Sequence, residues 1–316
     1  MTANLNDVDP AVALQAIEGW GPRAIDRLAA EFGDASTILA ASDAAIAAVL
    51  GDTEAAVGRA RRRLRWSTLR REARWLRRHG AVVVTRFGDA MPAGWRGMID
   101  PPVAVRLRGS PEVLRARPGV AIVGARRCSP IGADLAARFA IAFVEAGWTI
   151  VSGGARGIDA AAHRAALRVG GSTIAILGSG LACPYPPEHD TLYDAISESG
   201  AVLSEFQSTV EPRPANFPVR NRLVAGFGPG TVVIEAGARS GALITARLAA
   251  EDYGREVVAV PGRADLDTHA GCHRAIREGW ATLVDDPAQA IELLSSQWGL
   301  LMAEPGPAVE SREGFD

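Results

Sequence analysis

The sequence predicts an α/β protein: a Rossmann-like, doubly wound, mainly parallel sheet preceded by a small all-helical helix-hairpin-helix domain. Three observations carry this. From Val120 onward, six short apolar runs alternate with helical patterns. Those runs are continuously apolar, as strands covered on both faces are, and right-handed crossovers then wind helices onto both sides. Upstream, residues 17–34 (IEGWGPRAIDRLAAEFGD) set two glycines and a proline before an amphipathic helix.

Taken in order, residues 1–80 read as the helical domain. Gly19 and Gly21 permit a tight turn, and Pro22 suits a first helical position, leaving backbone N–H groups and a helix dipole that can hold a phosphate. A plain helical turn fits the same residues. Ten arginines and the single acid Glu72 lie between Arg59 and Arg78, with Leu69, Ala73 and Leu76 at helical spacing. Such a run is either a solvated helix face or a phosphate-facing surface. Residues 81–117 begin with a strand candidate, AVVVTRF, and turn rich in Pro and Gly, as a connection between domains does. Residues 118–294 form the sheet domain. Strands are expected at 120–123, 149–151, 173–177, 201–203, 231–234 and 256–260. Helices are expected near 131–146, 158–169, 188–199, 219–226, 241–253 and 272–278. Residues 295–316 read as a mostly disordered tail.

Composition narrows the chemistry. The chain has 316 residues and a formal net charge of −2, and all 34 of its basic residues are arginine. Without lysine there is no Walker A loop, no kinase strand lysine and no Schiff base. Cys128, Cys183 and Cys272 lack CxxC spacing, so neither a disulfide framework nor a zinc ribbon is indicated. A reduced, cytoplasmic setting is expected, with no signal peptide and no membrane span. The near-neutral total hides a net +5 over residues 1–117 and a net −7 over the remainder.

Ligands of an open parallel sheet bind beyond the carboxyl ends of its strands. Those ends read GARRCSPIG (124–132), SGGARGID (152–159), GSGLACPYPPEHD (178–190), SEF (204–206) leading to NFPVRNR (216–222), and EAGARSGALITA (235–246). Glycine turns, helix N-termini and Arg126, Arg156, Arg220, Arg222 and Arg239 on one rim imply a phosphate-rich ligand, nucleotide or polynucleotide. GARRCSPIG lacks GxGxxG spacing and no acid closes the second strand, which argues against a dinucleotide. Ser152 and Ser240 sit on strand-to-helix turns, yet no GxSxG elbow exists. Asp159 and His163 read as a helix contact or core polar pair rather than a catalytic dyad. His269, Cys272 and His273 offer a metal no fourth ligand. No cofactor is expected.

These loops, in this order and at these separations, resemble the DNA-processing protein A (DprA/Smf) family from about Pro102 to Leu294. The N-terminal segment is similar to that family's small SAM-like domain. The resemblance implies an extended Rossmann fold, dimerisation through it, and no enzymatic activity. It also implies a protein that binds and protects single-stranded DNA and helps load the RecA recombinase in natural transformation. The motif positions it carries over are Arg126, the Ser152-Gly153-Gly154 turn with Arg156, Arg213, Asn216, Phe217, Arg220, Asn221, Arg222 and Ser240. Here Pro214 and Ala215 stand between Arg213 and the FPxRN motif. Phe217 fits a base-stacking platform or a core anchor beside Pro218, and Arg220 and Arg222 fit phosphate contacts or braces to Glu205 or Glu235. A winged-helix-like C-terminal domain, found in many members, is expected to be absent. The alternative is a nucleotide-binding enzyme of the phosphoribohydrolase type, with Glu235 as its carboxylate, although EAGARSGALITA lacks that class's Gly-Gly pair and downstream glutamate.

Overall fold

The computed structural model describes residues 7–303. Six helices come first: α1 (Pro10–Gln15), α2 (Pro22–Phe32), α3 (Ala35–Ala40), α4 (Asp43–Leu50), α5 (Glu54–Arg62) and α6 (Trp66–Arg78). Side chains cap several of them, Asp34 accepting from the N–H groups of Ser36 and Thr37 and Ser42 from Ala45, and such caps satisfy helix-start donors. The arginine run is two helices rather than one. Val57 and Leu69 are both buried, yet on one straight helix they would point about 120° apart. The break after Arg62 lets each reach the core.

Strand β1 (Ala81–Thr85), short α7 (Ala93–Arg96), β2 (Ala104–Gly109) and short α8 (Val113–Ala116) follow. The alternating part comprises β3 (Gly119–Val123), α9 (Pro130–Glu145), β4 (Thr149–Ser152), α10 (Ile158–Arg168), β5 (Thr173–Leu177), α11 (Asp190–Ser199) and β6 (Ala201–Ser204). It continues with α12 (Asn216–Ala225), β7 (Gly230–Val233), α13 (Ala242–Arg247), β8 (Glu256–Ala259), α14 (Ala270–Arg277), β9 (Thr282–Leu283) and α15 (Pro287–Ala303). One sheet results, ordered β1-β2-β6-β5-β4-β3-β7-β8-β9, with β2 antiparallel to its neighbours β1 and β6 and every other pair parallel. Phe139 and Phe143 of α9 pack with Ile150 and Ile122 on one face. Leu223, Phe227 and Trp95 cover the other.

Two expectations are corrected. Residues 81–117 are not merely a connection, because β1 and β2 extend the sheet through β6. Arg106 hid the second strand, since a charge inside an apolar run reads as surface. It is 1% exposed, because its guanidinium grips the Glu72 carboxylate at 2.9 and 3.3 Å and donates to Gln15 Oε1 and the Glu205 carbonyl. Glu72 also accepts from the Ser208 N–H at 3.0 Å. This buried charge cluster joins α1 and α6 to β2 and the loop after β6. Nor does the tail begin at residue 295: α15 runs to Ala303. Leu294, Trp298 and Leu301 recur at helical spacing, and Leu294 and Trp298 pack onto the α9 face. Residues 304–316 of that expected tail lie outside the described residues.

Candidate nucleic-acid interface

Strand order reverses beside β3, where the chain runs outward to β6 and returns to β7. At that switch point, where open α/β sheets bind ligands, lies a cavity of about 970 Å³. The β3–α9 loop lines it with Arg126 and Arg127, the β7–α13 loop with Arg239 and Ser240, and α12 with Arg220 and Asn221. Arg126 is exposed, and its guanidinium lies over the half-buried Phe217 ring, 5.2 Å from the centroid. Tyr185 meets Phe217 edge-on at 5.8 Å. Arg156 lies over Tyr185 at 5.6 Å and pairs with Glu188, Nη2 to Oε2 at 2.9 Å. Two arginine–aromatic pairs thus stand side by side across the ends of β3, β4 and β5. Arg213 is exposed, its carbonyl accepting from the Asn216 N–H at 2.9 Å as α12 begins.

Other expected contact residues build the site from behind. The Ser152 hydroxyl is buried and donates to the Ile122 carbonyl at 2.6 Å, so it faces the neighbouring strand instead of a ligand. Arg220 is 4% exposed, donates to the carbonyls of Gly153, at 2.5 Å, and Ile176, and has its Cζ 6.0 Å from the Phe217 centroid. Arg222 is clamped by Glu205 at 2.5 and 2.6 Å and by the Asp100 carbonyl at 2.6 Å. Arg222 braces the site through Glu205 rather than Glu235, and Arg220 through main-chain carbonyls rather than either glutamate. Gly153 is required because a Cβ there would sit 2.6 Å from the Arg220 guanidinium. Gly154 has φ +68° and the Tyr193 ring against it. Ser240 Oγ accepts from the Ala242 N–H at 3.3 Å.

The glycine turn after β4 already holds a carboxyl of its own. Asp159 Oδ2 accepts from the N–H groups of Gly153 and Ala155 at 3.1 and 3.2 Å. Burial pushes this carboxyl up while Arg220 and those donors hold it down. Asp159 and His163 are both buried and bond different partners: His163 Nδ1 lies 2.7 Å from Thr173 Oγ1, whose own hydrogen goes to the Ile150 carbonyl, so His163 donates. Burial, with His189, Arg164 and Arg220 nearby, depresses the imidazole from 6.5 to about 3. An unfolded chain takes up this proton below about 6.5 and the fold does not, so stability falls as pH drops. The slope expected from His163 is about 1.4 kcal/mol per pH unit from near pH 6 down to near 3. Denaturant melts across that window, repeated with His163→Asn, check this; an unchanged slope in the variant excludes His163 as its source.

Glu235 is fully buried. Its carboxylate accepts from the Ser129 N–H at 3.0 Å and the Ser129 hydroxyl at 2.6 Å, capping the α9 start instead of facing the cavity. That position does not suit a nucleotide-hydrolysing carboxylate. Cys272 is buried against the Val233 carbonyl and His273 Nε2 meets the Gly262 carbonyl at 3.0 Å. Among the described residues no group of three or more metal-binding side chains exists, and no helix is long and apolar enough to cross a membrane. Sequence reasoning missed Tyr185 and Arg127. A tyrosine inside a strand-end loop already noted for its glycines was the available signal.

A family model described as DNA recombination-mediator protein A matches residues 82–295. The chain is 43% identical over 191 residues to DNA processing protein DprA of Streptococcus pneumoniae, 60% of this chain and 67% of that one. It is 40% identical over 189 residues to Protein Smf of Synechocystis, 60% of this chain and 46% of that one. The chain therefore spans about half to two thirds of the length of these relatives. The crystal structure of S. pneumoniae DprA superposes with a TM-score of 0.79 at 33% identity, covering 91% of this chain and 99% of that one. A Helicobacter pylori DNA processing protein A, described for its single-stranded DNA binding mode, gives 0.62 at 27% identity, covering 69% and 97%. Matched by that family model over residues 82–295, with 33% identity and a TM-score of 0.79 to S. pneumoniae DprA across 91% of its length, the chain belongs to the DNA recombination-mediator protein A family.

Proposed function

We propose that this protein binds single-stranded DNA along the strand-end rim, performs no chemistry on it, and acts in DNA processing during transformation. The observation that carries this is the pair of arginine–aromatic stacks, Arg126 on Phe217 and Arg156 on Tyr185. Single strands are held by cationic grooves that follow phosphates and by aromatic faces that take bases. Arginine suits both, since its planar fork contacts phosphate bidentately and stacks. Arg126, Arg156, Arg213 and Phe217 are the contacts, Gly154, Asn216, Asn221 and Ser240 shape their loops, and Ser152, Gly153, Arg220 and Arg222 support them. The DNA-binding relative from H. pylori supports the ligand. Protection of the strand, its transfer to RecA and a homodimer joined through the Rossmann-like domain, in the cytoplasm, rest on family membership.

Fluorescence anisotropy at a series of salt concentrations, comparing single- with double-stranded oligonucleotides, tests the reading. Preference for the single strand is expected, with log K falling against log salt by about 0.7 for each phosphate neutralised. Salt-independent binding, or equal affinity for duplex, would sink it. Adding RecA to the loaded strand is expected to speed filament formation.

A further inference from the structure

We propose that the outer face of α6 is a second contact surface for the same single strand; this rests on the rim reading above. Arg71, Arg74 and Arg78 are exposed and recur at i, i+3 and i+7, one stripe about 10 Å long at 1.5 Å per residue. Among the described residues none of the three has a carboxylate within 4.0 Å; Asp43, Glu18 and Asp7 pair with Arg61, Arg63 and Arg77, and the run's own Glu72 is taken by Arg106 of β2. A merely solvated helix face gains from opposite charges at i, i+4. Here Arg70 and Arg74, and Arg74 and Arg78, set like charges at that spacing, and Glu72, the helix's own acid, points inward. The helix is left as a row of cations that repel until an anion joins them.

Two further observations name the anion. Half-buried Trp75 stacks on exposed His79 with centroids 4.1 Å apart, placing an aromatic pair beside the arginine stripe, the combination that single-stranded nucleic acid uses. The inner side of α6 also holds the rim loops. Glu72 bonds the Ser208 N–H in the loop that leads to Arg213 and Phe217. Leu76 packs in one cluster with Leu181, from the loop that carries Tyr185. The helix that braces the rim therefore offers the next cationic surface to a strand leaving it.

The test uses the full chain, the triple variant Arg71→Gln/Arg74→Gln/Arg78→Gln, and labelled oligothymidine of about 8 nucleotides, within the span of one binding groove, and about 60, well beyond it. For the long probe the variant is expected to lose about tenfold in affinity, with its salt slope shallower by about 2. Short-probe affinity is expected to stay at the parental value. The corresponding triple lysine variant is expected to recover most of the long-probe affinity, because phosphate contact by charge survives the exchange. Unchanged long-probe binding overturns the proposal and leaves an acidic protein surface as the occupant. Equal loss on both probes overturns it as well, since the rim would then be what was disturbed. Arg126→Ala on the short probe reports the rim alone, so failure there strikes the rim reading and not the α6 stripe.

Discussion

Glu72→Ala is expected to lower folding stability by about 3–5 kcal/mol, because removing one partner of a buried ion pair leaves the other charge uncompensated. Arg106 of β2 sits 1% exposed against α6. Without Glu72 it keeps only Gln15 Oε1 and the Glu205 carbonyl, and the buried Ser208 N–H loses its acceptor. Urea melts followed by circular dichroism measure the effect. Replacing both partners, Glu72→Leu with Arg106→Met, is expected to restore much of the loss, since apolar residues of similar volume often match a buried pair. A single-variant loss below about 1 kcal/mol would mean that water reaches the cluster and that the helical domain is held by packing alone. The same variant frees the loop after β6, so its binding to oligonucleotide is expected to weaken even where the protein remains folded.

That cluster also shows why some of the fold was hidden in the sequence. Strands β3 to β8 announce themselves, because a strand buried on both faces is mostly apolar, and the runs in 120–123 through 256–260 depart from that only at the leading Thr149, Thr173, Thr231 and Glu256. β2 does not, because Arg106 interrupts it and the compensating carboxylate lies 34 residues upstream. A local pattern carries no record of such a distant pairing. α15 is absent from the expected helices for a related reason: Leu294, Trp298 and Leu301 gain meaning only once the α9 face exists to receive them. At the site, the loops were legible and the division of labour within them was not. Arg126 and Arg220 look alike in sequence, yet one is exposed over Phe217 and the other is enclosed, its Nη1 donating to two carbonyls. The glycine turn after β4 has the composition of an anion cradle, and Asp159 from the next helix already fills it. Side-chain direction decides both cases, and motif spacing does not encode it.

The direct consequence for binding concerns Phe217. Phe217→Leu keeps an apolar side chain between Gly178 and Tyr185 but removes the aromatic face. Stacking on such a face is worth about 1–3 kcal/mol per base, so single-strand affinity is expected to fall about 5- to 160-fold with little change in melting temperature. Arg126→Ala removes one phosphate contact and is expected to make the salt slope shallower by about 0.7, which the leucine variant leaves in place. The two side chains are in contact, the guanidinium 5.2 Å from the ring centroid, so their effects are not independent. Each single change already breaks the stack, and the double variant is expected to lose less than the two single losses combined, because residues in contact couple. A double loss equal to the combined single losses would mean that arginine and ring bind separate parts of the strand. Parental affinity in Phe217→Leu would reduce Phe217 to a packing residue and move the base platform to Tyr185, whose ring lies under Arg156 in the same arrangement.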